Sequence, residues 1–408
     1  MKKIVFITPS YYPSVLSGSG VVVTELAEGF ARDGYNVSVI TSNALTTRYW
    51  YDPIFGKKLS HDFEIINNVK IYRLGCNQIL SSFFFILVKY FNKVLPKRLI
   101  EKLKILSSGP YLIGLYDVLR DNNFDVIHCS PFPLNINQQV VDSIKDLTYR
   151  PKLIFTPFFH SQNNDFSNLS LQEIFDKADS IHVISQVEKE EMRNMFHINE
   201  SKIKIIPLFL KLAGMHTIEY LSNDIKLFKE EYRLKEKKII LFAGIKGAFK
   251  GACDLLQAIN ILYKSDKNLI LIAMGSSTPE WENIKKIVNK NCLLDFSYTQ
   301  GKEKEVIFGA CDVFCMPSKT ETFGLVYLEA WHKKKPIIAA NIQTVKHIVK
   351  DAGLFVEFGN INSIVDEIKK ISYNKTLIKK MGLKGYNRLI TFYDFSKIFP
   401  RYVELFES

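Results

Sequence analysis

At 408 residues the chain is longer than one hydrophobic core supports, because single cores stop growing at roughly 250–300 residues, so two domains are predicted. Its 47% hydrophobic and 24% charged residues, with mean hydropathy near zero, exclude disordered and fibrous classes, and no window reaches the roughly 18 uninterrupted apolar residues of a spanning helix. The net charge of +12, from 54 Lys plus Arg against 42 Asp plus Glu, predicts attraction to polyanions, although lysines spread over solvated helix faces explain much of it.

The N-terminus, with Lys2 and Lys3 before a short apolar run, imitates the start of a signal peptide but is too short for one and reads straight into a strand. A cytoplasmic location is expected. The six cysteines are scattered without metal or redox spacing, which predicts buried thiols in a reducing compartment.

Residues 3–8 and 36–41 are β-branched runs separated by a loop and an amphipathic segment at 21–31, a βαβ unit. The intervening loop carries Gly18 and Gly20 at a helix start, where free backbone amides suit an anion, although a glycine pair can also serve only the turn. A dinucleotide fingerprint would need a third glycine where Val23 stands and an acidic residue near Ser42, so nicotinamide chemistry is disfavoured. Residues 81–106 alternate aromatics and leucines with Lys89, Lys93, Lys97, Arg98, Lys102 and Lys104, the profile of a helix lying on an anionic membrane surface or of a helical pair covering the sheet.

Short strands are predicted at 125–129, 152–156, 180–185 and 202–206. His128 falls inside the first of these, and His160 follows the second, where a loop near ligand is expected and an imidazole could bind a donor or orient an acceptor. Ser185 and Glu188 have the spacing of a helix capping box, which explains the pair as well as a site role does. Residues 208–219 are the predicted hinge.

A second series then restarts, with strands at 238–243, 268–274, 313–316 and 336–340 and helices at 252–263, 281–290, 302–310 and 326–333. The α/β architecture predicted is therefore two Rossmann-like doubly wound parallel-sheet domains, 1–207 and 208–393, facing each other across a cleft, with an amphipathic C-terminal helix at 394–408 completing the first.

The densest chemistry lies at 317–331. A buried strand leads into a loop that is expected to end in Thr320 or Thr322 as a helix N-cap, leaving the amides at Gly324 and Leu325 exposed for phosphate. Glu321 stands before the helix and Glu329 about one and a half turns along it. Carboxylates there suit the paired hydroxyls of a sugar or ribose rather than the phosphate.

Two glutamates with seven residues between them bracketing Phe323-Gly324-Leu325 resemble the signature of the family 4 retaining glycosyltransferases, and the resemblance covers nearly the whole chain. It implies the GT-B fold and transfer of a sugar from a nucleotide diphosphate sugar to a glycan or lipid-linked acceptor with retention, in cell-surface polysaccharide or glycolipid synthesis. By that resemblance Glu321 contacts the donor sugar, Glu329 the ribose, the backbone at Phe323, Gly324 and Leu325 the diphosphate, and Lys250 the leaving phosphate. The family's arginine after the glycine matching Gly244 is here Ile245, and Lys246 is the expected substitute. A histidine two residues after the one matching His128 is here Ser130, which leaves His160 to take its place. No metal, no other cofactor and no specific nucleic acid are expected. Epimerase or phosphorylase chemistry on the same fold, or a nucleotide-sugar-binding protein without turnover, are the rival readings.

Overall fold

The computed structural model describes residues 1–14, 18–159 and 164–408, the side chains of residues 164 and 165 excepted. The chain divides into two compact units, Met1–Pro207 with Phe399–Ser408, and Leu208–Ile398. The return of the C-terminus to the first unit thus begins at Phe399 rather than at residue 394.

In unit 1 the strands are β1 (Lys3–Ile7), β2 (Asn36–Ser42), β3 (Phe63–Ile66), β4 (Val69–Leu74), β5 (Val126–Cys129), β6 (Lys152–Phe155), β7 (Ser180–Val183) and β8 (Ile203–Ile205). Among the described residues they form one eight-stranded sheet in the order β3-β4-β2-β1-β5-β6-β7-β8. All neighbours are parallel except β3 and β4. The central strands are buried on both faces, which is why they read as unbroken apolar runs. The β3–β4 hairpin turns at Asn67 and Asn68, whose φ values of +50° and +64° are those of a two-residue type I′ turn, a conformation asparagine tolerates. The helices are α1 (Gly18–Arg32), α2 (Gln78–Phe91), α3 (Lys97–Leu106), α4 (Leu115–Asn122), α5 (Asn135–Lys145), α6 (Leu171–Phe175) and α7 (Gln186–Met195).

Unit 2 contains α8 (Ser222–Glu231), β9 (Lys238–Ala243), α9 (Ala252–Ser265), β10 (Leu269–Met274), α10 (Pro279–Ile287), β11 (Leu293–Phe296), α11 (Gly301–Ala310), β12 (Val313–Met316), α12 (Leu325–His332), β13 (Ile337–Ala340), α13 (Gln343–Val349), β14 (Gly353–Val356), α14 (Ile361–Ser372) and α15 (Lys375–Phe392). Its six-stranded parallel sheet runs β11-β10-β9-β12-β13-β14.

The last helix, α16 (Phe395–Glu407), contributes its residues from Phe399 to unit 1. There Phe399 and Phe406 pack on Phe30 with ring centroids 5.0 and 4.7 Å away. Tyr402 joins a buried polar chain. His182 Nε2 lies 2.7 Å from the Ile206 carbonyl and must carry the proton there, so its Nδ1 accepts from the Thr156 hydroxyl at 2.9 Å, and that hydroxyl accepts from His128 Nε2 at 2.7 Å. Tyr402 Oη stands 3.3 Å from the same His182 Nε2. Burial holds the imidazoles of His128 and His182 down at about 3 and about 4.

Ser185 caps α7 by accepting from the Glu188 amide at 3.1 Å. Glu188 does not complete the predicted box on Ser185 itself; its two carboxylate oxygens accept from the amides of Ile184 and Phe159, each at 2.6 Å. Burial pushes this carboxyl up to about 8, against the pull of the two amides. The signs therefore oppose. The two histidines bind fewer protons folded than unfolded below about pH 6.5, so their contribution is lost on acidification. Glu188 binds more protons folded than unfolded between its ordinary value and about 8, so its contribution grows as pH falls through that window. Glu188→Gln should remove the compensating half: between pH 7 and pH 5 the variant should lose about 2 kcal/mol more stability than the unmutated protein, at 1.36 kcal/mol per unit over two units with some discount. Parallel stability–pH slopes for the two proteins in denaturant titrations would contradict this.

Candidate active site

In unit 2 the chain winds outward from β9 through β10 to β11, then crosses to β12 on the other side of β9 and continues to β14. The loops after β9 and β12 therefore diverge from a switch point at the carboxyl ends of adjacent strands, the place where open α/β sheets hold ligands. The loop after β9 ends in a 3-10 turn, Ala248–Lys250, and in Gly251 with φ +72°. A Cβ on Gly251 would lie 2.1 Å from the Pro317 carbonyl oxygen, so only glycine lets the two loops touch there. The Lys319 amide donates to the Phe249 carbonyl at 2.8 Å. These contacts place Lys250 Nζ 2.8 Å from Glu321 Oε2, both side chains being less than one quarter exposed. Gly251→Ala should cost ~1–3 kcal/mol from the left-handed backbone alone, lowering the unfolding midpoint of unit 2; an unchanged midpoint would contradict the close approach.

Helix α12 begins at Leu325 behind Gly324, whose φ is +85°. A Cβ at Gly324 would stand 2.4 Å from the Tyr327 ring, and that ring is locked in the core with its hydroxyl on the Met316 carbonyl at 3.3 Å. Neither Thr320 nor Thr322 caps the helix as predicted, because the left-handed turn at Gly324 starts α12 after both of them, without a side-chain cap. The Tyr327 amide donates to the Gly324 carbonyl at 2.9 Å, and the Leu325 and Val326 amides before it have no acceptor in their own helix and face where a ligand could lie. Phe323 is 1% exposed and packs edge-on against Tyr393 at 5.5 Å, so only its backbone is available. The Glu321 carbonyl is held by the Thr344 hydroxyl at 2.8 Å, which ties the loop to α13.

Glu329 is half-buried on α12, between the buried Leu328 and Ala330. Its Oε1 accepts from Lys304 Nζ at 2.5 Å, and its Oε2 is buried without a protein partner among the described residues. Lys304 comes from α11, where the next residue, Glu305, accepts from Lys333 at 2.7 Å and from the His216 amide at 2.9 Å. Burial raises the Glu305 carboxyl, but Lys333 and His216 outweigh it and hold the group below its usual range. Two ion pairs thus lace α11 to α12 and orient Glu329.

Lys246 is placed differently from its neighbours. Its side chain is 2% exposed, with Nζ 2.5 Å from Asp295 Oδ1 and 2.7 Å from the Phe296 carbonyl. Asp295 also accepts from Lys285 at 2.6 Å and from the Trp281 indole at 3.2 Å; burial raises its carboxyl, and these donors more than reverse the effect. The Lys246 ammonium is committed to this internal cluster, while Ile245 is 46% exposed.

Gly18 and Gly20 belong to unit 1, where α1 starts at Gly18 and Gly20 is buried, its carbonyl accepting from Thr24 Oγ1 at 3.0 Å. Beside α1 a cavity of 260 Å³, lined by Ser14, Ser19, Trp50 and Pro131 among others, opens past the ends of β1, β2 and β5. Ser14 Oγ and Trp50 Nε1 are buried there without partners among the described residues. No spacing in the sequence points to either. His128 is 2% exposed within β5 and engaged by Thr156. His160 lies outside the described residues. Among the described residues no group of three or more His, Cys, Asp or Glu side chains could hold a metal ion.

Two family models match consecutive parts of the chain: Glycosyltransferase Family 4 over residues 16–213 and Glycosyl transferases group 1 over residues 223–388. The chain belongs to the family 4 glycosyltransferases. An uncharacterized glycosyltransferase of Methanocaldococcus jannaschii is 24% identical over 90% of this chain and 88% of its own length. The N-acetyl-alpha-D-glucosaminyl L-malate synthase of Bacillus anthracis is 23% identical over 97% of this chain and 94% of its own. Among solved structures, the Anabaena protein HepE in complex with UDP and glucose superposes with a TM-score of 0.73 at 14% identity, covering all of both chains, and this likeness shows the GT-B fold. In this glycosyltransferase the two glutamates of the motif therefore each stand opposite a lysine, Lys250 and Lys304 respectively.

Proposed function

We propose that this glycosyltransferase moves a sugar from a nucleotide diphosphate sugar to a glycan or lipid-linked acceptor with retention at the anomeric carbon and without a metal ion. The observation that carries the reading is the Lys250–Glu321 pair set beside the uncapped start of α12. A diphosphate lying on the first-turn amides draws the ammonium from Glu321, and the released carboxylate accepts hydroxyls of the sugar. Glu329 Oε2, buried and unpartnered, takes the ribose hydroxyls while Lys304 holds Oε1. The bond from the anomeric carbon to the diphosphate breaks, a bond to the acceptor oxygen forms on the same face, and the acceptor proton passes to the departing phosphate. Lys250 and the helix amides stabilise the charge that develops on that phosphate. The nucleotide-bound state of HepE supports such a donor.

A bilayer surface would present a lipid-linked acceptor. On α2, Ile79, Phe83, Ile86, Tyr90 and, just past its end, Val94 follow helical spacing on one face and are 86, 53, 50, 66 and 76% exposed. Lys89 and Lys93 flank them, so this stripe has the apolar face and basic border of a helix lying in an anionic interface. No helix among the described residues is long and apolar enough to cross a membrane.

A second reading, a nucleotide-sugar-binding protein without turnover, is favoured by one observation: Ile245 stands where the family pattern has arginine and Lys246 is buried on Asp295. Incubation of the protein with a panel of nucleotide diphosphate sugars and extracted glycolipids separates the two. Acceptor-dependent release of nucleoside diphosphate, with the donor's anomeric configuration in the product, supports transfer; donor binding with no glycosylated product supports the second reading.

A further inference from the structure

The helical pair α2–α3 encloses, with the loop after the turn at Thr47–Trp50, a cavity of 900 Å³ that lies wholly within unit 1. Its volume is within the range that holds a small amphiphilic ligand, roughly 300–1,000 Å³. Ser82, Phe85 and Val88 line it from α2, at three-residue steps on the flank that begins beside Ile86 of the exposed stripe. Tyr51 faces Phe85 with ring centroids 6.4 Å apart, and the Ser82 hydroxyl donates to the Tyr51 carbonyl at 3.1 Å, which holds the aromatic wall in place. From α3 come Ile105 on the apolar side and Lys97, Glu101 and Lys104 at the rim.

The charges on α3 are sorted between two sides. Arg98 and Lys102 are taken up by Glu173, at 2.8 and 2.9 Å. Lys97 stands 4.0 Å from Glu101, a loose pairing, and Lys104 forms no ion pair among the described residues. Two ammonium groups against one carboxylate give the rim a positive balance over an apolar interior. We propose that this cavity is a lipid site that takes one acyl chain of an anionic phospholipid against Phe85, Val88 and Ile105 and its phosphate at Lys97 and Lys104. The inference rests on the reading that the neighbouring α2 stripe meets a bilayer, since that contact brings the cavity mouth to the source of its ligand. The occupant anchors the protein in addition to the surface stripe, and the site is separate from the donor residues of unit 2.

The full-length protein is titrated with dihexanoyl phosphatidylglycerol below its micelle concentration, and co-sedimentation with phosphatidylglycerol vesicles is measured alongside. Saturable binding of the soluble lipid at one equivalent is expected, weakened at least tenfold by Val88→Trp, which fills the cavity. Because the bulky residue can perturb folding, Lys97→Glu with Lys104→Glu is the second variant and should also lose at least tenfold. Arg98→Glu with Lys102→Glu, the same charge change on the other side of α3, should change affinity less than twofold. Ile79→Glu with Ile86→Glu should abolish vesicle binding yet leave the soluble lipid bound. No saturable binding by the unmutated protein, or equal loss from the two charge-reversal pairs, overturns the site. Absent vesicle binding with the soluble lipid still bound instead removes the surface reading and leaves the site standing.

Discussion

Lys250→Ala lowers turnover by roughly two to three orders of magnitude, the usual scale for removing one preorganised donor to developing charge, while donor affinity falls less than tenfold. The asymmetry follows from the geometry. In the unliganded site the Lys250 ammonium is neutralised by Glu321 at 2.8 Å, so part of what it gives a bound diphosphate is spent on leaving that carboxylate. On the proposed reading the amides at the start of α12, which no side chain caps, take the diphosphate without such competition. Charge on the leaving phosphate rises only as the glycosidic bond breaks, and there an ammonium contributes more than it does in the ground state. Steady-state kinetics and donor titrations check this, and equal losses in both would make Lys250 a ground-state ligand only. Removing Lys250 also leaves Glu321 facing the diphosphate alone. Lys250→Ala with Glu321→Ala should therefore bind nucleoside diphosphate, which lacks the sugar that Glu321 contacts, better than Lys250→Ala by itself, a non-additivity expected of groups in direct contact.

Glu329→Ala weakens binding of nucleoside diphosphate by ~1–3 kcal/mol, or roughly 5- to 150-fold, the scale for hydrogen bonds to a charged group. The carboxylate is prepared for ligand in two respects. Lys304 fixes one oxygen at 2.5 Å, and the other is buried with no protein partner among the described residues, so a ribose hydroxyl meets an acceptor that is already dehydrated and oriented. Lys304→Ala should act in the same direction with a smaller effect, because it frees the side chain without removing the acceptor. Calorimetry measures both, and unchanged affinity in Glu329→Ala would contradict the ribose role. The fold should tolerate the change, since Lys304 is 29% exposed and can be hydrated once unpaired.

The alternation of short apolar strands with amphipathic helices was enough to read two doubly wound sheets, because parallel strands buried on both faces leave continuous apolar runs. The β3–β4 hairpin escaped that reading although Asn67-Asn68 between two alternating segments carries its signal. The motif at 321–329 was legible because its parts sit on one loop and one helix. Its partners were not: Lys304 lies 25 residues before Glu329, and only the packing of α11 on α12 brings them together. Lys246 shows the same limit at short range. Successive residues in an extended loop face opposite sides, so beside the outward Ile245 the lysine turns inward to Asp295, a residue 49 positions away. Adjacency to Gly244 could not tell which side was the ligand's.

The account's central claim is that the backbone at the start of α12 receives the donor's diphosphate. Backbone amide resonances of isotope-labelled protein, followed while UDP is titrated in, test it most directly. The largest shifts should fall on Gly324, Leu325 and Val326, and Glu329→Ala should displace the titration to higher concentration without changing which amides respond. Saturable UDP binding that leaves those three amides unmoved would contradict the account.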